Sequence, residues 1–228
     1  MASIPVSEIW VVDNGSLDRS VDVASSAQQA LSNLRIFVNS ENISLGGTHK
    51  AVFRKAKENG FTHVVVLHGD DQASPDEINS LIIASVRTAG ATVLGSRFMK
   101  GATLQGYDFK RVAGNKVLNF VYSIFARRKL TDLGSGLNLF RVSDLAPETY
   151  MGFGNSLSFN YELMLDFIQR GVPFSYVPIT WREEDQTSNA RNIQIFIEAI
   201  RILIRWVLHR PKSRAELLAE SFSWKEVR

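Results

Sequence analysis

The sequence predicts an α/β fold, a layered arrangement with a mostly parallel central sheet and helices on both faces. Three observations predict it. Short apolar runs alternate with helical patterns over the first two thirds of the chain. One run, Val64-Val65-Val66-Leu67, is apolar on successive positions, as a strand covered on both faces requires. The helical stretches carry their own start and stop residues. At 228 residues, 45% apolar and 21% charged, the chain suits one domain with a sizeable core and is not a disordered segment.

The elements follow in order. Ile9–Val12, Arg35–Val38, Val64–Leu67 and Thr92–Leu94 read as strands. A helix is expected from Ser20 to Leu31, and a second from Thr48 to Asn59, stopped by Gly60. A third opens at Ser74-Pro75-Asp76-Glu77, where Ser74 can cap, Pro75 suits the first helical position and Glu77 can close a capping box. Beyond this, Phe109–Arg128 reads as a long helix and Leu137–Arg141 as a strand. Phe159–Arg170 reads as a helix ended by Gly171, and Phe174–Thr180 as a strand. The last long helix, Asn192–Leu208, keeps its polar residues Gln194, Glu198, Arg201, Arg205 and His209 in one narrow stripe, leaving a wide apolar face. That face suits packing onto the sheet, a second subunit of a homo-oligomer, or a membrane surface. Residues 1–210 are expected to form one domain, and residues 211–228 a helical tail opened by Ser213 and Glu216.

Composition narrows the function classes. There is no cysteine, which excludes disulfide frameworks, thiolate zinc sites and cysteine nucleophiles. The formal charge of +3 is a mild excess that permits contact with polyphosphates or an anionic surface and does not point to nucleic acid. No run is long and charge-free enough to span a bilayer, and the N-terminus lacks a basic-then-apolar signal pattern. A cytoplasmic protein, peripheral at the inner face of the membrane, is expected.

Chemistry is expected where polar clusters follow apolar strands, because open α/β sheets bind ligands beyond the carboxyl ends of their strands. Asp13, in Val11-Val12-Asp13-Asn14-Gly15-Ser16, can accept hydrogen bonds from a base or a ribose, or simply form a turn. His68-Gly69-Asp70-Asp71 follows a buried strand. Adjacent carboxylates at an apolar sheet end call for a positive partner, naturally a hard divalent cation such as Mg2+ or Mn2+. His68 is either a ligand or a hydrogen-bonded neighbour. Arg97 can meet phosphate or solvent. Thr131-Asp132-Leu133-Gly134-Ser135-Gly136 offers small residues that let backbone approach a ligand. The polar run after Trp181 reads as a solvated loop.

The ordered set V-V-D-N-G-S-L-D, L-G-G-T-H-K-A, H-G-D-D-Q-A-S-P-D-E, G-S-R-F, T-D-L-G-S-G-L-N-L-F-R and W-R-E-E-D-Q-T-S-N resembles the family 2 glycosyltransferases of GT-A (Rossmann-like) fold, which include the polyprenyl- and dolichyl-phosphate sugar synthases. The resemblance runs from about Ile9 to Asn189. It implies a metal-dependent inverting transferase, moving a sugar from a nucleotide-diphosphate donor to a polyprenyl phosphate or a glycan. Carried across by position, Asp13, Asn14, Ser16, Gly46, Asp70 and Arg97 are implied to bind the nucleotide sugar. Asp70, Asp71 and His68 are implied around the Mg2+ or Mn2+, and Asp132 and Glu162 in catalysis. The Glu183–Ser188 stretch matches a loop that closes over the diphosphate.

Two departures stand out. The first aspartate of the family's Asp-x-Asp motif is His68, so either Asp71 supplies a carboxylate or Asp70 and the diphosphate hold the metal. The family's first strand and its Pro-x-Tyr-Asn-like turn have no counterpart in Met1–Ser7, so a central strand is expected to be missing and the fold N-terminally truncated. These departures keep a second reading open, a degenerate glycosyltransferase-like domain acting in binding or assembly. A nucleotidyltransferase of similar architecture is disfavoured, since no Gly-rich basic N-terminal loop is present.

Overall fold

A computed structural model describes residues 6–146, 148–183, 189–208 and 224–227, the side chains of α6 from residue 193 onward. The elements are β1 (Ile9–Asp13), α1 (Ser20–Gln28), β2 (Leu34–Asn39), α2 (Ser44–Glu58), β3 (His63–Leu67), α3 (Ile78–Arg87), β4 (Thr92–Ser96), β5 (Thr103–Gln105), α4 (Phe109–Ala126), β6 (Leu137–Arg141), α5 (Phe159–Gln169), β7 (Phe174–Pro178), β8 (Thr180–Arg182), α6 (Asn189–Val207) and β9 (Trp224–Val227). The expected Phe174–Thr180 strand is two strands. β7 pairs with β4, and after Ile179 the chain swings out to pair β8 with β5. The cap at Ser74 forms, its Oγ accepting from the Asp76 N–H at 3.3 Å. Glu77 does not close a capping box; its carboxylate accepts from the Thr180 N–H at 2.8 Å instead. Of the expected helical tail, residues 211–223 and 228 lie outside the described residues. Trp224–Val227 is a strand, antiparallel to β2, with Trp224 against Phe37 at 4.8 Å between ring centroids.

The described strands form three sheets, ordered β1-β2-β9, β3-β6-β4-β7 and β5-β8. The mostly parallel sheet expected from the sequence is mixed. β1/β2, β4/β7 and β5/β8 run parallel, whereas β6 runs antiparallel to both β3 and β4. The register gives the reason. Leu137, the first residue of β6, lies opposite Leu67, the last of β3, and Asn138 lies opposite Leu94 near the end of β4. The chain enters β6 from the edge where β3 and β4 finish and must run back along them. The segment 131–136 is thereby delivered to the carboxyl ends of β3 and β4.

Both faces of β3 are covered, Val64 and Val66 against one apolar cluster and Val65 and Leu67 against the other. The larger cluster joins the sheet to α2, α4, α5 and α6 through Phe53, Tyr122, Phe140, Phe159 and Phe167; the smaller includes Leu81 of α3 and Trp181 of β8. Yet every residue of β3 stays partly exposed. The exposure comes from its edge: β3 pairs only with β6, and β1 only with β2. Among the described residues no strand joins the two sheets.

Helix α2 spans that division. Gly46, in its first turn, approaches the 153–155 segment so closely that a Cβ would lie 2.6 Å from the Gly154 carbonyl oxygen. Lys50, fully buried, donates from Nζ to the Phe153 carbonyl at 2.7 Å and to Asn155 Oδ1 at 2.6 Å. His49 sits edge-on to His68, ring centroids 5.7 Å apart. Burial, with the neighbouring His68, lowers the His49 pKa to about 4, and burial, with the charge of Arg97, lowers that of His68 to about 4. Both rings are neutral in the fold.

The pH dependence follows from the sign of these shifts. A histidine whose folded pKa lies below its unfolded value near 6.5 contributes stability that is full above that value and lost as pH falls through the folded pKa. We predict a thermal midpoint that drops steadily between pH 6.5 and about 4, and a shallower drop in His49→Leu. An unchanged slope in the variant contradicts the assignment.

Candidate active site

The carboxyl ends of β1, β3 and β4 and the segment before β6 form one edge of the molecule. Asp13 closes β1 and is 8% exposed. Its Oδ2 accepts from the N–H groups of Gly15 at 3.0 Å and Ser16 at 2.9 Å, so it shapes its own turn; Ser16 is exposed beside it. Asp13 Oδ1 takes no hydrogen bond among the described residues. Asn14 is spent on a clip. Its Oδ1 accepts from Asn39 at 2.9 Å and from the Ile43 N–H at 3.1 Å, and its Nδ2 donates to Asn42 at 3.0 Å. This ties the β1 turn to the start of α2, whose His49 touches His68, so the Asp13 turn and the loop after β3 share one edge. Gly46, implied by sequence at the nucleotide, is packed against Gly154, Asn155 and Phe159 with no room for a methyl.

After β3 the polar residues separate. His68 is tucked in, its N–H bonded to the Gly136 carbonyl at 2.9 Å and its ring so close to Gly136 that a Cβ there would lie 2.8 Å from Nδ1. Its Nε2 is buried and has no hydrogen-bond partner among the described residues. Asp70 and Asp71 are exposed at the rim. Asp71 adopts a left-handed backbone, φ 55°, and accepts from Arg182 at 3.1 Å. Among the described residues Asp70 accepts only from the Gln72 N–H, at 3.3 Å. Among the described residues no three His, Asp or Glu side chains gather where they could hold a metal, so His68, Asp70 and Asp71 do not form a ready-made three-ligand set.

A buried ion pair, Arg97–Asp132, lies at this edge, its side chains 9% and 1% exposed. The guanidinium meets both carboxylate oxygens, Nε to Oδ2 and Nη2 to Oδ1, each at 2.8 Å, and the Arg97 backbone N–H adds a third bond at 2.9 Å. Phe98 and Trp181 lie on the guanidinium, each with its ring centroid 5.0 Å away. Burial opposes the charge on Arg97, but the Asp132 charge and hydrogen bonds outweigh it and hold the pKa further above the ordinary arginine value. The Asp132 carbonyl accepts from the Tyr176 hydroxyl at 3.0 Å, and Asn119 holds the Thr131 carbonyl at 2.9 Å. The Gly134 N–H adds a fourth bond, to Oδ1 at 3.1 Å, so the four lone-pair sites of the Asp132 carboxylate are all engaged.

Glu162, on the first turn of α5, lies apart from this cage. Its Oε2 accepts from the Gly154 N–H at 2.5 Å and its Oε1 faces Arg205 at 3.9 Å. Neither residue implied as catalytic presents an unengaged carboxylate. The loop expected to close over the diphosphate lies, at 184–188, outside the described residues; Glu183, just before it, is buried and paired with Arg111. Sequence reasoning missed Trp181, Tyr107 and Tyr176, the walls and brace of the cage. Its only signal for them was aromatic residues near strand ends.

Comparison with known proteins agrees with this layout. The description "Glycosyl transferase family 2" matches residues 3–146. The chain is similar to an undecaprenyl-phosphate mannosyltransferase of Micrococcus luteus, 26% identical over 90% of this chain and 84% of that protein. It is also similar to a polyprenol monophosphomannose synthase of Mycolicibacterium smegmatis, 23% identical over 92% and 80%. Among solved structures, a glucosyl-3-phosphoglycerate synthase of Mycobacterium tuberculosis, crystallised with Mn2+, UDP-glucose and phosphoglyceric acid, superposes with a TM-score of 0.64 at 16% identity, over 91% of this chain and 71% of that one. That likeness establishes a GT-A fold. With the family description matching well over half of its length, this chain belongs to glycosyl transferase family 2 and is a glycosyltransferase.

Proposed function

We propose that this protein transfers a sugar, with inversion, from a nucleoside-diphosphate donor to a polyprenyl phosphate. One observation carries the choice of acceptor: both candidate bases are already engaged, Asp132 by Arg97 and Glu162 by the Gly154 N–H and Arg205. A hydroxyl acceptor needs a base to take its proton, whereas a phosphate arrives anionic and needs none. The curated relatives, named for undecaprenyl phosphate and polyprenol, support the same class.

The residues present fit an oxygen-preferring divalent cation, of the kind held by one or two carboxylates and completed by substrate phosphates. Asp70 and Asp71 supply two exposed carboxylates at the strand edge, and Asp70 is bonded only to a backbone N–H. When bound, Mg2+ or Mn2+ would neutralise charge building on the departing diphosphate. His68 stays a packing neighbour of Gly136. Asp13, through its unbonded Oδ1, holds the nucleoside. The Arg97–Asp132 pair acts at one remove, fixing the segment from Thr131 to Gly136 beside the acceptor phosphate.

A second reading, a binding domain without turnover, has one observation in its favour: β1 and β3 each pair on one side only among the described residues. Calorimetry with GDP and UDP in Mn2+ separates the two readings when set beside a turnover assay. Binding without product favours the domain that only binds.

With GDP-mannose or UDP-glucose as donor, product is expected with polyprenyl phosphate and not with the free polyprenol. Chelation should abolish it, and Asp70→Ala should lower the rate about 10^2–10^3-fold, the range for losing one electrostatic contact to a developing charge. Equal transfer to polyprenol, or full activity of Asp70→Ala, overturns the reading. For the cage, Arg97→Met should cost about 3–5 kcal/mol in denaturant unfolding, because it strands a buried carboxylate. Adding Asp132→Asn, which removes that charge and keeps an oxygen for one of the two backbone N–H groups, at 97 or at 134, that the carboxylate accepts from, should restore part of the loss; simple additivity contradicts the pairing.

A further inference from the structure

Helix α4 leaves one long face uncovered. Its buried side carries Leu118, Asn119 and Tyr122, and the Tyr122 hydroxyl donates to the Ala199 carbonyl of α6 at 2.6 Å. On the other side Phe109 is 80% exposed, Phe120 66%, Ile124 56% and Val117 53%. Val117, Phe120 and Ile124 recur at steps of three and four, so they form one stripe along the helix. A contiguous exposed apolar stripe with aromatic residues marks an interaction surface.

Charge selects the partner. Between Asp108 and Asp132 the chain has no acidic residue, only Lys110, Arg111, Lys116, Arg127, Arg128 and Lys129. Two of these are committed elsewhere. Arg111 pairs with Glu183, and Arg128 lies 3.6 Å from the Phe174 ring centroid and donates to the Phe174 carbonyl. Lys116, Arg127 and Lys129 are exposed and form no ion pair among the described residues. With Phe98, Phe120 and Ile124 they line an open groove of about 490 Å3 that reaches Thr131, next to Asp132. A second copy of the same face would set cation against cation. An anionic bilayer satisfies both parts at once, its acyl boundary taking the apolar stripe and its headgroups the cations. The exposed side of α6 is less suited, because Glu198 lies among its apolar residues, held by Ser156 and Ser158.

We propose that the exposed face of α4, with Lys116, Arg127 and Lys129 around it, seats the protein on an anionic lipid bilayer and turns the groove mouth toward that surface. The proposal deepens the reading of a lipid-borne acceptor. Vesicle binding, however, needs no donor, metal or turnover, so the two can fail separately.

The test is co-sedimentation of the full chain with vesicles of phosphatidylcholine alone, or of phosphatidylcholine and phosphatidylglycerol in equal parts. Binding is expected to the mixed vesicles, weakening with salt, and far less to the neutral ones. Each cation near an anionic surface contributes about fivefold in affinity, so the triple variant Lys116→Gln, Arg127→Gln, Lys129→Gln should bind the mixed vesicles about a hundredfold more weakly. Phe120→Ser with Ile124→Ser should also lose binding, with circular dichroism and the thermal midpoint showing that each variant stays folded. Wild-type protein that ignores the mixed vesicles, or binds both kinds equally, overturns the proposal. So does a triple variant of unchanged affinity, or lipid-free self-association that the Phe120→Ser, Ile124→Ser variant removes.

Discussion

The Arg97–Asp132 ion pair is the interaction on which the candidate site depends. It joins the end of β4 to the segment that feeds β6, two places 35 residues apart in the chain. A buried guanidinium and a buried carboxylate are each costly alone, and the bidentate geometry with a backbone N–H is what makes their burial tolerable. With Phe98, Tyr107 and Trp181 around the guanidinium, the pair is fixed in position. The acidic residue is thereby a structural clamp between the end of β4 and the segment before β6.

The second constraint is the division between the β1-β2-β9 sheet and the β3-β6-β4-β7 sheet. Ordinarily a ladder of backbone hydrogen bonds carries position from one strand end to the next. Here side chains of α2 and its approach carry it across: the Asn14 clip to Asn42 and Ile43, the contact of His49 with His68, and the buried Lys50 reaching the 153–155 segment. Side-chain bridges are softer than a ladder. The placement of Asp13 relative to Asp70 therefore leans on the packing of α2, with Gly46 letting that helix approach closely enough, and on Trp10 of β1 against Phe61, 5.5 Å between ring centroids.

Much of this was legible in the sequence, and the parts that were not share a cause. Strand ends could be read because polar clusters interrupt apolar runs, and so Asp13, Asp70, Arg97 and Asp132 were placed on one edge. Helix ends could be read from local chemistry, as at Gly171, whose φ is 69°. The direction of β6 could not, since Leu137–Arg141 has the same pattern whichever way it runs. Nor could β9, whose four residues gain their meaning only from β2, nearly 190 residues earlier. The roles of Asp132, Glu77 and His68 turned on distant partners, Arg97, Thr180 and Gly136, which no local pattern names.

The most direct test of this account is a crystal structure of the protein with Mn2+ and a nucleoside diphosphate. It should show one nucleotide whose base or ribose meets Asp13, whose diphosphate shares the cation with Asp70, and beside which Asp132 remains bonded to Arg97. A nucleotide bound away from this edge, or an Asp132 released from Arg97 and turned toward the acceptor side, would contradict it.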